Sequence, residues 1–190
     1  MDTHYKVHIT PERAFVKVLN KASYLNCDPL RKFFDDQTKN GQKNFVLDFH
    51  SCTSVDSTFL GILVGVALQI RQGADQGSLV LLNLRGRNLE TVCNLGIHQI
   101  ANVCQDELSC DRELDDIRMG TRGDAADAET IYHAHKALMN LNEKNMKVFS
   151  DVVSYLEQKK ERYALLSQSY VDDSLLYCRA SDWFICFIFF

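Results

Sequence analysis

An acid and two hydroxyl side chains, Asp56, Ser57 and Thr58, stand between two apolar segments of the chain. The segment before them, NFVLDF, is typical of a strand that is covered on both faces. The segment after them, ILVGVALQI, contains no charged residue. A serine at this junction falls in the first turn of a helix, where several backbone N–H groups have no intrahelical partner. Two roles are open to it, a helix cap or a modification site.

The simpler role is the cap, in which Asp56 or Ser57 accepts hydrogen bonds from those N–H groups and contributes about 1 kcal/mol. The alternative is a phosphorylation site. Phosphate on Ser57 would be favoured by the positive end of the helix dipole and opposed by the adjacent Asp56 carboxylate. It would give a neutral patch about two negative charges and so expel a protein that had covered the patch.

The segments around this junction predict a mixed sheet. The first two strands, Tyr5–Ile9 and Ala14–Leu19, are separated by a proline-containing turn and are expected to form a hairpin. A helix is expected from Asp28, as its N-cap, and Pro29 to Asn40. The remaining predicted elements are a strand at Asn44–Phe49, a helix at Ser57–Arg71, a strand at Leu79–Leu84, a helix at Asn88–Leu95 and a strand at Ile97–Val103. Because strands and helices alternate, the later strands are expected to be parallel and joined by right-handed crossovers.

Two glycines, Gly61 and Gly65, lie four residues apart in the predicted second helix. Each lowers helix stability by about 1 kcal/mol relative to alanine, so a gain in packing must offset the cost. We predict that they let this helix approach a strand closely.

The stretch LDFHSCTSVDSTFLGILVG resembles the signature of the STAS domain family, the anti-sigma factor antagonists. In that signature a V-L-D-L strand leads to D-S-S/T-G-L-G-V/I-L. The hairpin-first order and the stretch NLGIHQIANV are also similar to the family, and the resemblance covers about residues 4 to 105. It implies an α/β fold, a STAS-type mixed sheet of four to five strands with helices, followed here by a long C-terminal helix.

The resemblance also implies a function. In the family, the serine that aligns with Ser57 is phosphorylated by an anti-sigma factor serine kinase and restored by a serine phosphatase. The unmodified form captures the kinase, so that a sigma factor is released and transcription changes. Carried over, this makes Ser57 the phosphorylation site, with Thr58 as the weaker candidate, and the chain a regulatory binding protein without enzymatic activity.

The implied partner-binding residues are Asp56, Ser57, Thr58, Phe59 and Ser23. Two of them depart from the family pattern, which has glycine at the position of Phe59 and commonly an acid at the position of Ser23. A partner would therefore meet a bulky aromatic side chain beside the serine. We expect partner choice to differ accordingly.

A second function stays open at this point. STAS-like domains also serve as soluble subunits or regulators of membrane transporters, with no phosphate cycle. A third alternative is a structural dimer built on the C-terminal helix.

An enzyme or metal site is not expected. Ser57 as an enzyme nucleophile would need a histidine base, and His98 is the only plausible neighbour. His133 and His135 would point about 200° apart around a helix and could not share a metal ion. His50 and Cys52 have no second ligand pair at metal-binding spacing. The sequence thus predicts no catalytic residue, no metal and no cofactor.

The composition limits which classes of partner and which cellular compartment are expected. The 190 residues carry a net charge of −4, so no basic stripe for nucleic acid is expected. Seven cysteines without a CxxC pair indicate reduced thiols, most of them small buried hydrophobes. The N-terminal MDTHYKVHITPE lacks the apolar run of a secretory signal. The sequence predicts a cytoplasmic protein.

The C-terminal part is predicted to follow a domain at residues 1–105. Residues 106–128 are acid-rich and predict a linker. Residues 129–166 predict one long amphipathic helix with Asn145 in its apolar seam, which either docks on its own domain or pairs with a second copy as a homodimer. The tail, residues 167–190, ends in WFICFIFF, which is too short to span a bilayer. Contact of this end with a membrane surface or another subunit is left open.

Overall fold

A computed structural model of the chain describes residues 4–72, 76–104, 115–116 and 125–177. The chain divides into two compact units, Met1–Val153 and Ser154–Phe190. The candidate site lies in the first unit. The described part of the second unit is the later portion of one helix.

The described strands are short and belong to two sheets. In chain order they are β1 (Tyr5–Ile9), β2 (Ala14–Val18), β3 (Asn20–Ala22), β4 (Asn44–Asp48), β5 (Cys52–Val55), β6 (Ser78–Leu82), β7 (Asn102–Cys104) and β8 (Asp115–Asp116). The larger sheet has the order β7-β6-β4-β2-β1-β8. The smaller sheet is the parallel pair of β3 and β5.

The larger sheet is mixed, as predicted. β1 and β2 form the expected antiparallel hairpin, with Val7 opposite Val16. β2, β4, β6 and β7 follow one another in parallel. Its five longer strands agree with the predicted four to five, so the predicted fold class is confirmed. The two-residue strand β8, antiparallel to β1, lies within the predicted linker and was not expected.

The helices are α1 (Asp28–Lys39), α2 (Ser57–Ile70), α3 (Gly86–Asn94), α4 (Ala128–Met139) and α5 (Glu143–Tyr177), with a 3₁₀ turn at Ile97–Gln99. The prediction that Asp28 caps α1 is wrong, because Cys27 occupies the cap position and Asp28 is the first helical residue. The Asp28 carboxylate instead binds Arg31 at 2.9 Å and Lys32 at 2.7 Å, one turn further along.

Most of α2 is buried, which explains its uncharged sequence. One side of the core is aromatic: the Phe59 ring stacks on Tyr5 at 6.4 Å between centroids and meets the edge of Phe49 at 6.1 Å. Phe59 and Tyr5 are both fully buried. The start of α2 is therefore anchored in the core.

The long helix predicted for the C-terminal third is two helices separated by a turn at residues 140–142. The Asn142 side chain accepts the Asn145 N–H at 2.9 Å and so caps α5. Asn145 is fully buried, and its amide donates to the carbonyl oxygens of Leu95 and Leu138 rather than lying in a coiled-coil seam. α4 thus docks on its own domain, while pairing of α5 with a second copy stays a prediction.

Two predicted segments fall partly outside the described residues. Of the linker at 106–128, the structure describes 115–116 and 125–128. Of the tail at 167–190, it describes 167–177 as the end of α5, and the WFICFIFF end lies outside. In the part of the chain that the structure describes, none of the helices combines the length and apolarity needed to cross a membrane.

The cysteines of the described residues are free thiols. Cys27 is buried, and burial together with the nearby Asp56 carboxylate raises the pKa of its thiol to about 12. Cys52 and Cys104 are half-buried, whereas Cys93 is exposed. Of these four cysteines, only Cys27 is buried as the sequence analysis expected for most of them.

Candidate functional site

The N-cap of α2 is Asp56. Its Oδ1 accepts the Phe59 N–H at 2.9 Å, and its Oδ2 accepts the Tyr24 N–H at 2.8 Å. Its own N–H donates to the Ala22 carbonyl at 3.1 Å. One carboxylate therefore caps α2 and ties the loop after β3 to the start of that helix. Because Asp56 does the capping, the Ser57 side chain is left to make another contact.

The Ser57 hydroxyl pairs with a histidine of α4. Its Oγ lies 3.0 Å from Nε2 of His135. The other ring nitrogen, Nδ1, lies 2.8 Å from the Ile131 carbonyl oxygen. A carbonyl oxygen only accepts, so Nδ1 carries the proton, and in the neutral ring Nε2 accepts from the hydroxyl.

The two partners differ in exposure. His135 is only 7% exposed, and its ring packs on Phe149 with 5.5 Å between centroids. Ser57 is half-buried and keeps part of its surface in solvent. Solvent therefore reaches the serine of the pair, whereas the histidine is buried.

Gly61 sets how closely α4 approaches α2. A Cβ at Gly61 would collide with the backbone carbonyl group of Ala134 and lie 2.8 Å from its Cα. A Cβ at Gly65 would meet nothing within 4 Å. The prediction that both glycines admit a strand is therefore wrong, since Gly61 admits helix α4 and Gly65 faces open space.

The start of α4 is also tied to the site. Asp127 caps the helix by accepting the Thr130 N–H at 2.7 Å, and this hydrogen bond lowers the pKa of the Asp127 carboxyl. The preceding residue, Ala126, donates its N–H to the Tyr24 carbonyl at 2.6 Å. Since the Tyr24 N–H binds Asp56, one short loop connects the first turns of α2 and α4.

Three of the predicted partner-binding residues are in the interior. Thr58 and Ser23 are each 4% exposed, and Phe59 is fully buried. The Ser23 N–H donates to the side chain of Asn26 at 2.9 Å within a turn. The expectation that a partner meets the Phe59 ring is thus corrected, because the large aromatic fills the core. The half-buried residues Asp56 and Ser57 are left as the surface members of the predicted set.

Three residues of the site were not identified from the sequence. His135 was considered there only as a metal ligand, and no local pattern links it to Ser57, 78 positions away. Tyr24 and Leu25 are 46% and 56% exposed, in the loop beside Asp56. Two exposed apolar side chains in a loop that is hydrogen-bonded to Asp56 suit a protein-binding surface.

The other candidates lie elsewhere. His98, considered only as the base for an enzyme role that was not expected, is exposed in the 3₁₀ turn at Ile97–Gln99. His133 is exposed and lies 3.7 Å from the Glu129 carboxylate. Among the described residues, no group of three or more histidine, cysteine or acidic side chains could hold a metal ion.

Comparison with known proteins finds neither a matching family model nor a matching curated protein. Solved structures do match. The anti-sigma factor antagonist SpoIIAA in its unphosphorylated form has a TM-score of 0.46 at 15% identity, covering 54% of this chain and 88% of that one. The Bacillus cell fate determinant SpoIIAA in the phosphorylated form has the same score and identity, with 54% and 93% covered. An anti-sigma factor antagonist from Mycobacterium paratuberculosis has a TM-score of 0.48 at 12% identity, with 56% and 88% covered.

These proteins are of the class that the D-S-T motif resembles. At these identities and scores the likeness concerns the fold alone. The chemistry at Ser57 is therefore argued from the residues of this chain.

Proposed function

We propose that the chain is an anti-sigma factor antagonist, a protein-binding switch controlled by phosphorylation of Ser57. The observation that carries the proposal is the division of roles at the start of α2. Asp56 caps the helix, so the hydroxyl of the half-buried Ser57 is not needed for capping. Thr58, the weaker candidate acceptor, is almost fully buried.

Charge is the physical basis of the switch. Unmodified, Ser57 carries a neutral hydroxyl, and the loop that is hydrogen-bonded to the preceding Asp56 carries the exposed side chains of Tyr24 and Leu25. A partner that covers this patch removes it from water. Phosphate adds about two negative charges, which are costly to desolvate and stand beside the Asp56 carboxylate. The partner is then released while the fold is retained.

The proposed partners follow from the sequence motif. An anti-sigma factor serine kinase binds the unmodified form and phosphorylates it, and a serine phosphatase restores the hydroxyl. The protein itself is a regulator of transcription rather than an enzyme. It acts in the cytoplasm, where sigma factors and their regulators meet.

Pull-downs with three variants test the switch. We expect Ser57→Ala to capture a kinase from the source cells, because the neutral patch is retained, and Ser57→Asp to lose it. The charge control is Ser78→Asp. Ser78 is the first residue of β6 and lies opposite Asn44 at the start of β4, whereas the chain runs to the site from the other end of β4. This control should bind like the unaltered protein.

The captured protein must also transfer phosphate from ATP to Ser57 of the unaltered chain. Equal capture by the Ser57→Ala and Ser57→Asp variants would contradict the switch. In that case the alternative role, a regulator of a membrane transporter without a phosphate cycle, would account better for the site.

A further inference from the structure

Ser57 and His135 have the geometry of a nucleophile with its base. The distance between Oγ and Nε2 is 3.0 Å, within the range for direct proton transfer. The Ile131 carbonyl holds the proton on Nδ1, so that the lone pair of Nε2 faces the hydroxyl. A base oriented by a third group is the arrangement that activates serine hydroxyls in general.

We propose that His135 is the proton acceptor for phosphoryl transfer to Ser57, an inference that rests on the function proposed above. Ser57 Oγ attacks the terminal phosphorus of a nucleoside triphosphate that the kinase holds. The Oγ–P bond forms, the bond from that phosphorus to the bridging oxygen breaks, and the nucleoside diphosphate leaves. The hydroxyl proton passes to Nε2 of His135, so an imidazolium then lies beside the new phosphate.

The surroundings of His135 suit this role. The ring is fixed by the Ile131 carbonyl and the Phe149 ring, so it needs little reorganisation when the proton moves. The contact of Gly61 with the Ala134 backbone fixes α4, and with it His135, against the first turns of α2. A resulting imidazolium would be stabilised by the phosphate next to it.

The size of the effect follows from the reaction. General bases contribute typically 10² to 10⁴-fold to a rate. Phosphoryl transfer passes through a loose transition state in which the nucleophile keeps its proton until late, so a contribution near the lower end is expected.

A small fluorophosphonate probe tests the role of His135 without the kinase. Ser57 Oγ attacks the phosphorus, the P–F bond breaks, fluoride leaves and His135 takes the proton. We expect labelling of Ser57, followed by mass spectrometry, to slow at least about tenfold in His135→Gln. The matched control is His133→Gln, on the same helix but exposed, which should label at the rate of the unaltered protein.

A second measurement uses the unaltered chain and does not depend on the stability of a variant. Nitrogen-15 NMR of the histidine rings should show His135 protonated on Nδ1, with an Nε2 signal that shifts in Ser57→Ala. Three results would each overturn the proposal: equal labelling rates for the unaltered protein and His135→Gln, no labelling of Ser57 in the unaltered protein, or a proton on Nε2. Absence of phosphate on Ser57 in cells would instead remove the proposed function and leave the labelling result standing.

Discussion

Replacing Phe59 by alanine is expected to lower the free energy of unfolding by about 3 to 5 kcal/mol, the range for large-to-small changes at buried aromatics. The ring is fully buried and contacts Tyr5 and Phe49, so its removal leaves a cavity and loses two aromatic contacts. The change would also loosen the start of α2, because the ring anchors the residue whose backbone N–H donates to the Asp56 carboxylate. Urea unfolding followed by circular dichroism measures the loss.

The control for Phe59 is Leu68→Ala on the same helix. Leu68 is 38% exposed, so its truncation should cost less than about 1 kcal/mol. If Phe59→Ala were no more harmful than Leu68→Ala, the ring would not be in the core. The expectation drawn from the sequence resemblance, that a partner meets the Phe59 ring, would then regain support.

Gly61→Ala is the second large effect that we expect. The added methyl group would collide with the backbone of Ala134, which has no rotamer to change, so α4 must move. Overpacking of this kind costs about 1 to 3 kcal/mol, and the gain of about 1 kcal/mol in helix propensity offsets only part of it. We expect a lower free energy of unfolding and a weaker contact between Ser57 and His135.

Gly65→Ala makes the same chemical change one helical turn later and serves as the matched control. Gly65 lines an open groove between α1, α2 and α4, and its Cβ would meet nothing within 4 Å. The substitution should therefore raise the free energy of unfolding by up to about 1 kcal/mol. Urea unfolding measures the change in the free energy of unfolding for both variants. A decrease for Gly61→Ala with an increase for Gly65→Ala would support the close approach at Gly61, and changes of the same sign would contradict it.

The sequence was sufficient where the physical cause is local. The segment after the short apolar strand predicted a helix at Ser57–Arg71, and the structure has α2 at Ser57–Ile70. An acid followed by a hydroxyl predicted a cap, and the structure assigns that cap to Asp56. The alternation of strands and helices predicted the parallel part of the sheet.

The sequence was insufficient where the cause is a contact between distant residues. The pairing of Ser57 with His135 depends on how α4 packs on α2, which no pattern in either helix encodes. Gly61 was predicted to face a strand, and nothing local in the sequence showed that its neighbour is helix α4. The break between α4 and α5 depends on Asn142 and on the carbonyl oxygens that Asn145 binds.

The small sheet was missed for another reason. β3 has three residues and β5 has four, too few to show an alternating pattern. They form strands because they pair with each other. Asp56 and Ser57 directly follow β5. The strand pair that positions the candidate site was therefore not recognisable from the sequence.

The most direct test of the proposed switch is to recover the unaltered protein from its source cells and locate phosphate by mass spectrometry. The proposed switch predicts a phosphorylated fraction on Ser57 that changes with growth conditions and disappears on treatment with a serine phosphatase. Full absence of phosphate from Ser57 under every condition, with phosphate found on other serines of the same sample, would contradict it.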